Sequence, residues 1–180
     1  MARKPFPLSK VYGLLDPVPV VMLTTSCVGH SNIMTRSWHT MMEFEPPLVG
    51  CIISDRNHSF GMLMATNECV INIPTAEIAE KVVGCEKTSG ANIDKVKCLA
   101  SYPNLLRNSA HRSSRSALQT SNAGWVDTSM VDRYCLFILE VIKAWIDPAM
   151  KNPLTIHHLG SGNFMVAGKK IKLKSKMKSR

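Results

Sequence analysis

Apolar residues in this chain fall in short runs rich in Val, Ile, Leu and Met, punctuated by Pro, Gly, Asn and Ser, and this patterning predicts strands with helices confined to the connections. Ser9 to Leu15 suits a short helix, stopped by Pro17 and Pro19, after which Val18 to Thr25 reads as a buried strand. Gly29, inside Cys27 to Ser31, turns the chain into a second strand that begins near Asn32, so the two form a hairpin. Pro46 and Pro47 interrupt the run before a third strand, Leu48 to Ser54, and Asn57 then caps a helix through Met64. Glu68 to Ile73 is a fourth strand ended by Pro74.

Thr75 is placed to cap a second helix running to about Val83, and Asn92 to Leu99 carries a weaker helical pattern after the GCEKTSG loop. Val131 to Ile146 is rich in branched and aromatic residues and reads as one long strand with a bulge; Asn163 to Ala167 is a last strand. With hairpins at the start and no regular alternation of strand and helix, the chain is expected to be mainly β, a Greek-key antiparallel barrel in a single domain spanning 1–180. No internal repeat is visible.

Composition changes this picture little. A chain of 180 residues with 45% apolar content is long enough for one substantial core. No stretch approaches the roughly 20 apolar residues of a membrane helix, and Met1 to Ser9 lacks the apolar centre of a secretory signal, so a cytoplasmic protein with no membrane association is expected. Cys27, Cys51, Cys69, Cys85, Cys98 and Cys135 contain no CxxC pair, which leaves neither a zinc ribbon nor a dithiol motif. Cys51, Cys69 and Cys135 lie within apolar runs and read as core residues, whereas Cys85 reads as a loop residue.

The net charge of +9 is concentrated at one end: the last twelve residues, KKIKLKSKMKSR, hold seven positive charges and no acid. Without Lys169 to Arg180 the remainder has 15 basic against 13 acidic residues, so a folded basic face for specific nucleic-acid binding is not expected. The tail fits a solvated strand edge guarded by lysines or a frayed terminus.

Candidate chemistry gathers in NIMTRSWHTMMEFEPPLVGCIISDRNHS, from Asn32 to Ser59, where Ser, Thr, Asn and Arg sit beside Trp and Met at strand ends. A flavin mononucleotide needs an apolar slab for its ring, hydrogen-bond partners for the ring edge, and hydroxyls or a guanidinium for its phosphate. This block contains all three. There is no GxGxxG and no GxxxxGK[ST], so phosphates must be held by side chains and helix-start amides, which Ser54, Arg56 and Ser59 supply in SDRNHS. Thr35, Ser37, Trp38, His39 and Thr40 form a polar cluster that a ligand edge would satisfy. His157 and His158 are adjacent on an extended strand, point to opposite faces and predict no metal site; no GxSxG motif supports a hydrolase.

PVPVVMLTTSCVGHSNIMTRSWHTMMEFEPPLVGCIISDRNHSF, then ECVINIPT, then GCEKTSGANIDK, together with VDTSMVDRYCLFILEVIKAWID and FMVAGK, resembles the flavin reductase family in its flavoredoxin-like branch, over roughly four fifths of the chain. The resemblance implies an FMN-binding split barrel that forms homodimers. It implies that Asn32, Met34, Thr35, Ser37 and Trp38 border the flavin ring, that Ser54, Arg56, His58 and Ser59 lie toward the ribityl phosphate, and that Asn72 and Ile73 approach the ring. Ser89 and Lys95 would close the cofactor pocket, the lysine stabilising negative charge on reduced flavin. The implied activity is an NAD(P)H-dependent flavin reductase, with NADH or NADPH as co-substrate and a second flavin, another small molecule or a redox partner protein as acceptor. No catalytic residue is named, because hydride transfer at the flavin requires no protein acid or base. A flavoredoxin-type electron carrier without a nicotinamide site and a non-catalytic flavin-binding module remain as alternatives.

One stretch departs from the family. Cys98 to Trp125 contains ten Ser, Asn or Thr residues, and no acid occurs between Asp94 and Asp127. Relatives carry here an apolar strand of the type PLIAECxANLEC. With permitted codon choices HRSSRSALQTSNAGW (111–125), entered two nucleotides later, reads PLIAECSANLECRV, so translation out of frame through compensating indels is the expectation for this stretch.

Overall fold

The computed structural model describes residues 18–98, 117–146 and 152–174. The first part of the described chain runs β1 (Val21–Cys27), β2 (His30–Arg36), β3 (His39–Phe44), β4 (Pro47–Ile52), α1 (His58–Thr66) and β5 (Cys69–Pro74). A 3-10 turn (Ala76–Ile78) then leads into α2 (Ala79–Glu86) and α3 (Lys95–Cys98), followed by β6 (Ala117–Asp127), α4 (Val131–Tyr134), β7 (Leu136–Ile146), β8 (Ile156–Gly160) and β9 (Asn163–Val166).

Seven strands form one antiparallel sheet in the order β2-β1-β5-β6-β7-β4-β3, and β8 pairs with β9 apart from it. The edge strands β2 and β3 are joined by only Ser37 and Trp38. A flat seven-stranded sheet would hold its edges roughly 29 Å apart at about 4.8 Å per spacing. The steps from Arg36 to His39 reach only about 11 Å at about 3.8 Å each. The sheet must therefore curl until its edges approach, and because β2 and β3 share no ladder the closure stays incomplete. This is the Greek-key antiparallel split barrel that the sequence predicts.

The run VVML is continuously apolar because both faces of β1 are covered. Met22, with Val20 and Ile33, packs against Ile78, Val82 and Cys85 of the α2 region and against Ile156 of β8, while Leu23 and Met34 turn into the barrel with Cys51, Ile53, Leu63, Cys69, Phe137 and Leu139. The β1–β2 turn places Val28 (φ 48°) and Gly29 (φ 78°) in the left-handed region, which gives the strands the twist that closure needs. Asn67, at φ 56°, ends α1 with its N–H on the Leu63 carbonyl (2.9 Å), and its side-chain oxygen accepts from the Trp125 amide (2.7 Å), tying the helix to β6.

Several expected elements take a different form. The helix over Ser9 to Leu15 lies outside the described residues. The second predicted strand is two, β2 and β3, because the chain must cross at Ser37 and Trp38 from one barrel edge to the other. Val131 to Ile146 opens with the turn of α4, whose end at Cys135 (φ 53°) donates to the Val131 carbonyl (2.7 Å) before β7 begins; the register shifts lie between β6 and β7, at Asn122/Ala123 and Trp125/Asp127. Cys135 is half-buried rather than core. Asn57 and Thr75 occupy N-cap positions, but neither side chain makes the capping bond. Since α2 extends to Glu86, Cys85 is a buried helical residue rather than a loop residue. Only Lys95–Cys98 of the weak helical pattern is helical, and the Asp94 carboxylate accepts from the Lys97 amide at its start (3.1 Å).

The atypical segment divides at the boundary of description. Residues 99–116 lie outside it, whereas Ala117–Asp127 forms β6 between β5 and β7, in the middle of the sheet. The described part of the basic tail is exposed and forms no strand.

Candidate functional site

α1 begins in the SDRNHS turn, in which the Ser54 carbonyl accepts from the Asn57 amide (2.9 Å) and the Ser54 hydroxyl accepts from the Arg56 amide (3.3 Å). No capping bond from Asn57 covers the helix start, so its first amides are available to an anion. Ser59, on the inner side of this turn, is buried, and its hydroxyl accepts from the Asn32 carboxamide of β2 (Nδ2 to Oγ, 2.7 Å). Asn32 is also buried, and its Oδ1 has no hydrogen-bond partner among the described residues. Leaving such an acceptor unpaired costs about 1–3 kcal/mol, so the atom is free to take a donor from a bound ligand.

That oxygen belongs to a cavity of about 290 Å³ lined by Asn32, Met34, Arg56, Asn57, His58, Ser59, Glu86, Lys87, Thr88, Ser89, Gly90 and Lys95. Lys95 is buried and donates from Nζ to the Cys85 carbonyl (2.8 Å), placing a cation at the C-terminal end of α2. Burial pulls its ammonium below the usual lysine value, with the neighbouring Cys85 opposing the shift. Gly90 closes the wall: a Cβ there would collide with Asn32 Oδ1. A second, larger cavity of about 530 Å³ adjoins through the shared His58 and Gly90 and is otherwise lined by the β1–β2 turn, Met62 and residues 91–94 with Val96.

The predicted residues thus separate by location. Asn32, Met34, Arg56, His58, Ser59, Ser89 and Lys95 line one cavity. Thr35 and Ser37 open into a small cavity of about 60 Å³ that shares Glu86 with the first. The Thr35 hydroxyl donates to the Val82 carbonyl, which secures β2 to α2. Trp38 is half-exposed, with the Arg36 guanidinium 5.3 Å from its ring centroid. Ser54 lines none of these three cavities and shapes the turn before α1, and Asn72 and Ile73 on β5 also line none of them. Sequence reasoning passed over Gly90, whose signal was the Gly of KTSG, and Glu86 and Arg36, which carry no motif.

The donor set suits a phosphorylated, polyhydroxylated ligand: guanidinium, ammonium, hydroxyls and free helix amides around one unpaired acceptor. At about 290 Å³ this cavity has room for part of a nucleotide, and the adjoining space adds more. Among the described residues, no group of three His, Cys, Asp or Glu side chains could hold a metal ion, and no helix is long and apolar enough to cross a membrane.

Residues 16–163 match the family described as the flavin reductase like domain. The chain is 24% identical over 185 residues to the uncharacterised protein YddH of Escherichia coli K12, covering 93% of this chain and 96% of that protein. An uncharacterised Pyrococcus abyssi protein is 28% identical over 71 residues, and there the match spans only 41% of the relative's length. Among solved structures, an FMN-binding protein from Thermus thermophilus with bound p-hydroxybenzaldehyde superposes with a TM-score of 0.78 at 18% identity, covering 97% of this chain and 98% of that one. A flavoredoxin from Methanosarcina acetivorans gives 0.76 at 17% identity, covering 98% and 97%. The NADH:FAD oxidoreductase SgcE6 of Streptomyces globisporus gives 0.74 at 18% identity, covering 94% and 99%. These likenesses establish the shared split-barrel fold.

Proposed function

The chain belongs to the flavin reductase-like domain family, and from that premise we propose that it is an FMN-binding flavoprotein that takes hydride from NADH or NADPH and delivers it to a second flavin or another acceptor. The observation that carries the reading is the buried, unpaired Oδ1 of Asn32 in a cavity that also presents Arg56, Ser59 and Lys95. Arg56 and the uncapped start of α1 hold the phosphate, as an anion at a helix N-terminus is held. Asn32, fixed by Ser59, accepts a hydrogen bond from the cofactor, and Lys95, fixed on the Cys85 carbonyl, sets a positive charge in the same cavity. Bound FMN supplies the hydride chemistry at its N5; the chain supplies binding, orientation and charge.

The apolar surface of β3 supports a homodimer. Met41, Met42 and Phe44 of this edge strand are 57%, 47% and 76% exposed and Trp38 just before it 50%, a density of apolar side chains that monomers seldom leave in water. Among the described residues no disulfide joins Cys27, Cys51, Cys69 or Cys135, which accords with a cytoplasmic location.

The test is a visible spectrum of the protein loaded with FMN, titrated anaerobically with NADH and NADPH. Bleaching by a nicotinamide is expected. Bleaching by dithionite alone would replace the reductase with an electron carrier, and failure of a folded protein to take up FMN would overturn the flavoprotein reading.

A further inference from the structure

Arg36 stands at the end of β2, where the Glu86 carboxylate favours its charge from a distance without closing an ion pair among the described residues. Among the described residues its buried Nε has no hydrogen-bond partner, and the one ion pair is between Lys97 and Asp94. Its guanidinium is held over the Trp38 ring, which fixes the direction of its donors. A half-buried guanidinium with a donor left unpaired and no direct ion pair can turn its remaining donors to an anion.

The space beside it is the cavity of about 60 Å³ formed by Val20, Thr35, Arg36, Ser37, Glu86, His158 and Phe164. So small a cavity takes only the carboxylate end of a ligand, with the remainder lying outward at its mouth. A guanidinium matches a carboxylate with two parallel hydrogen bonds. Ser37 adds a hydroxyl, His158 a ring nitrogen, and Phe164, whose ring centroid lies 5.1 Å from that of His158, an apolar wall for the carbon skeleton. Glu86 is the one group of opposite sense. It is exposed and makes no ion pair with Arg36, so it stands at the rim as a gate charge.

We propose that Arg36, with Ser37 and His158, binds the carboxylate of a small organic acid in this pocket, its apolar part resting against Phe164.

Calorimetric titration of the full chain with benzoate and with benzamide tests the binding, since the two probes share a shape and differ in charge. Saturable benzoate binding without benzamide binding is expected. Arg36→Met should weaken benzoate by at least about tenfold, the loss of one charge-assisted pair, and Arg36→Lys should restore only part. Glu86→Gln, at an exposed position that tolerates substitution, should tighten benzoate by roughly two- to fivefold. Equal binding of both probes, no saturable binding by the wild type, or an affinity unmoved by Glu86→Gln and Arg36→Met would each overturn the proposal. A protein that binds benzoate through Arg36 yet takes up no FMN would reject the flavoprotein reading and keep the carboxylate site.

Discussion

Asn32 and Gly90 interlock, and each explains the other. The Asn32 carboxamide is tied to Ser59, so its oxygen cannot move aside for a larger neighbour, and only a residue without a side chain fits against it. Gly90→Ala is therefore expected to displace Asn32, destabilising the fold by about 1–3 kcal/mol and weakening FMN by roughly tenfold; fluorescence titration of FMN into the variant checks this. Lys95 gives a pH signature. Its folded value is lowered below 10.5 by burial, so the folded state gives up this proton before the unfolded state does. At neutral pH the buried ammonium opposes folding, and that penalty is relieved as pH rises from the lowered value toward 10.5. FMN affinity should move in the opposite direction, falling over the same rise as the cation is lost, and the fall should be absent in Lys95→Met. Titrations of both proteins from neutral to alkaline pH distinguish the two profiles. Burial likewise raises the Cys51 thiol to about 11, which leaves it protonated and unreactive in the native state.

β6 is the element on which sequence and structure meet least comfortably. It lies between β5 and β7, hydrogen-bonded on both sides, and it is built from the polar stretch that departs from the family. Ala123 enters the barrel core and Trp125 donates from Nε1 to the Leu63 carbonyl (3.3 Å), so the strand is anchored at its C-terminal end. A central barrel strand gains most of its stability from apolar side chains on its inner face. Replacing residues 111–125 by PLIAECSANLECRV should raise the unfolding free energy by at least about 3 kcal/mol, the worth of two buried aliphatic side chains, as measured by urea denaturation. Sequencing the gene from several independent clones tests the origin of the stretch, and clean reads encoding it as written would remove the frame-error explanation.

At the scale of the whole molecule, closure and assembly turn on β3. The two-residue crossing at Ser37 and Trp38 forces the sheet into a barrel and leaves β3 as an edge whose Met41, Met42 and Phe44 face water. Light scattering should give twice the 19.9 kDa chain mass. Introducing Met41→Glu with Phe44→Glu should shift it to the monomer while preserving the circular dichroism spectrum; an unchanged dimer would place the interface elsewhere.

The sequence by itself determined the strand-dominated class, the first hairpin, the positions of β4, α1, β5 and β9, and the residue types of the Asn32–Ser59 block, because period and turn chemistry act between neighbours in the chain. It also carried the family. Tertiary structure decided what neighbours cannot encode: that Asn32 meets Ser59 and Gly90, that Lys95 reaches Cys85, that Thr35 binds the α2 backbone and that Arg36 Nε is buried with no partner among the described residues. It also decided where a polar cluster read as one ligand edge divides between separate cavities and a turn. Those relations depend on how the curled sheet and its packed helices bring distant segments together, and a pattern read along the chain registers spacing but not the direction in which the barrel closes.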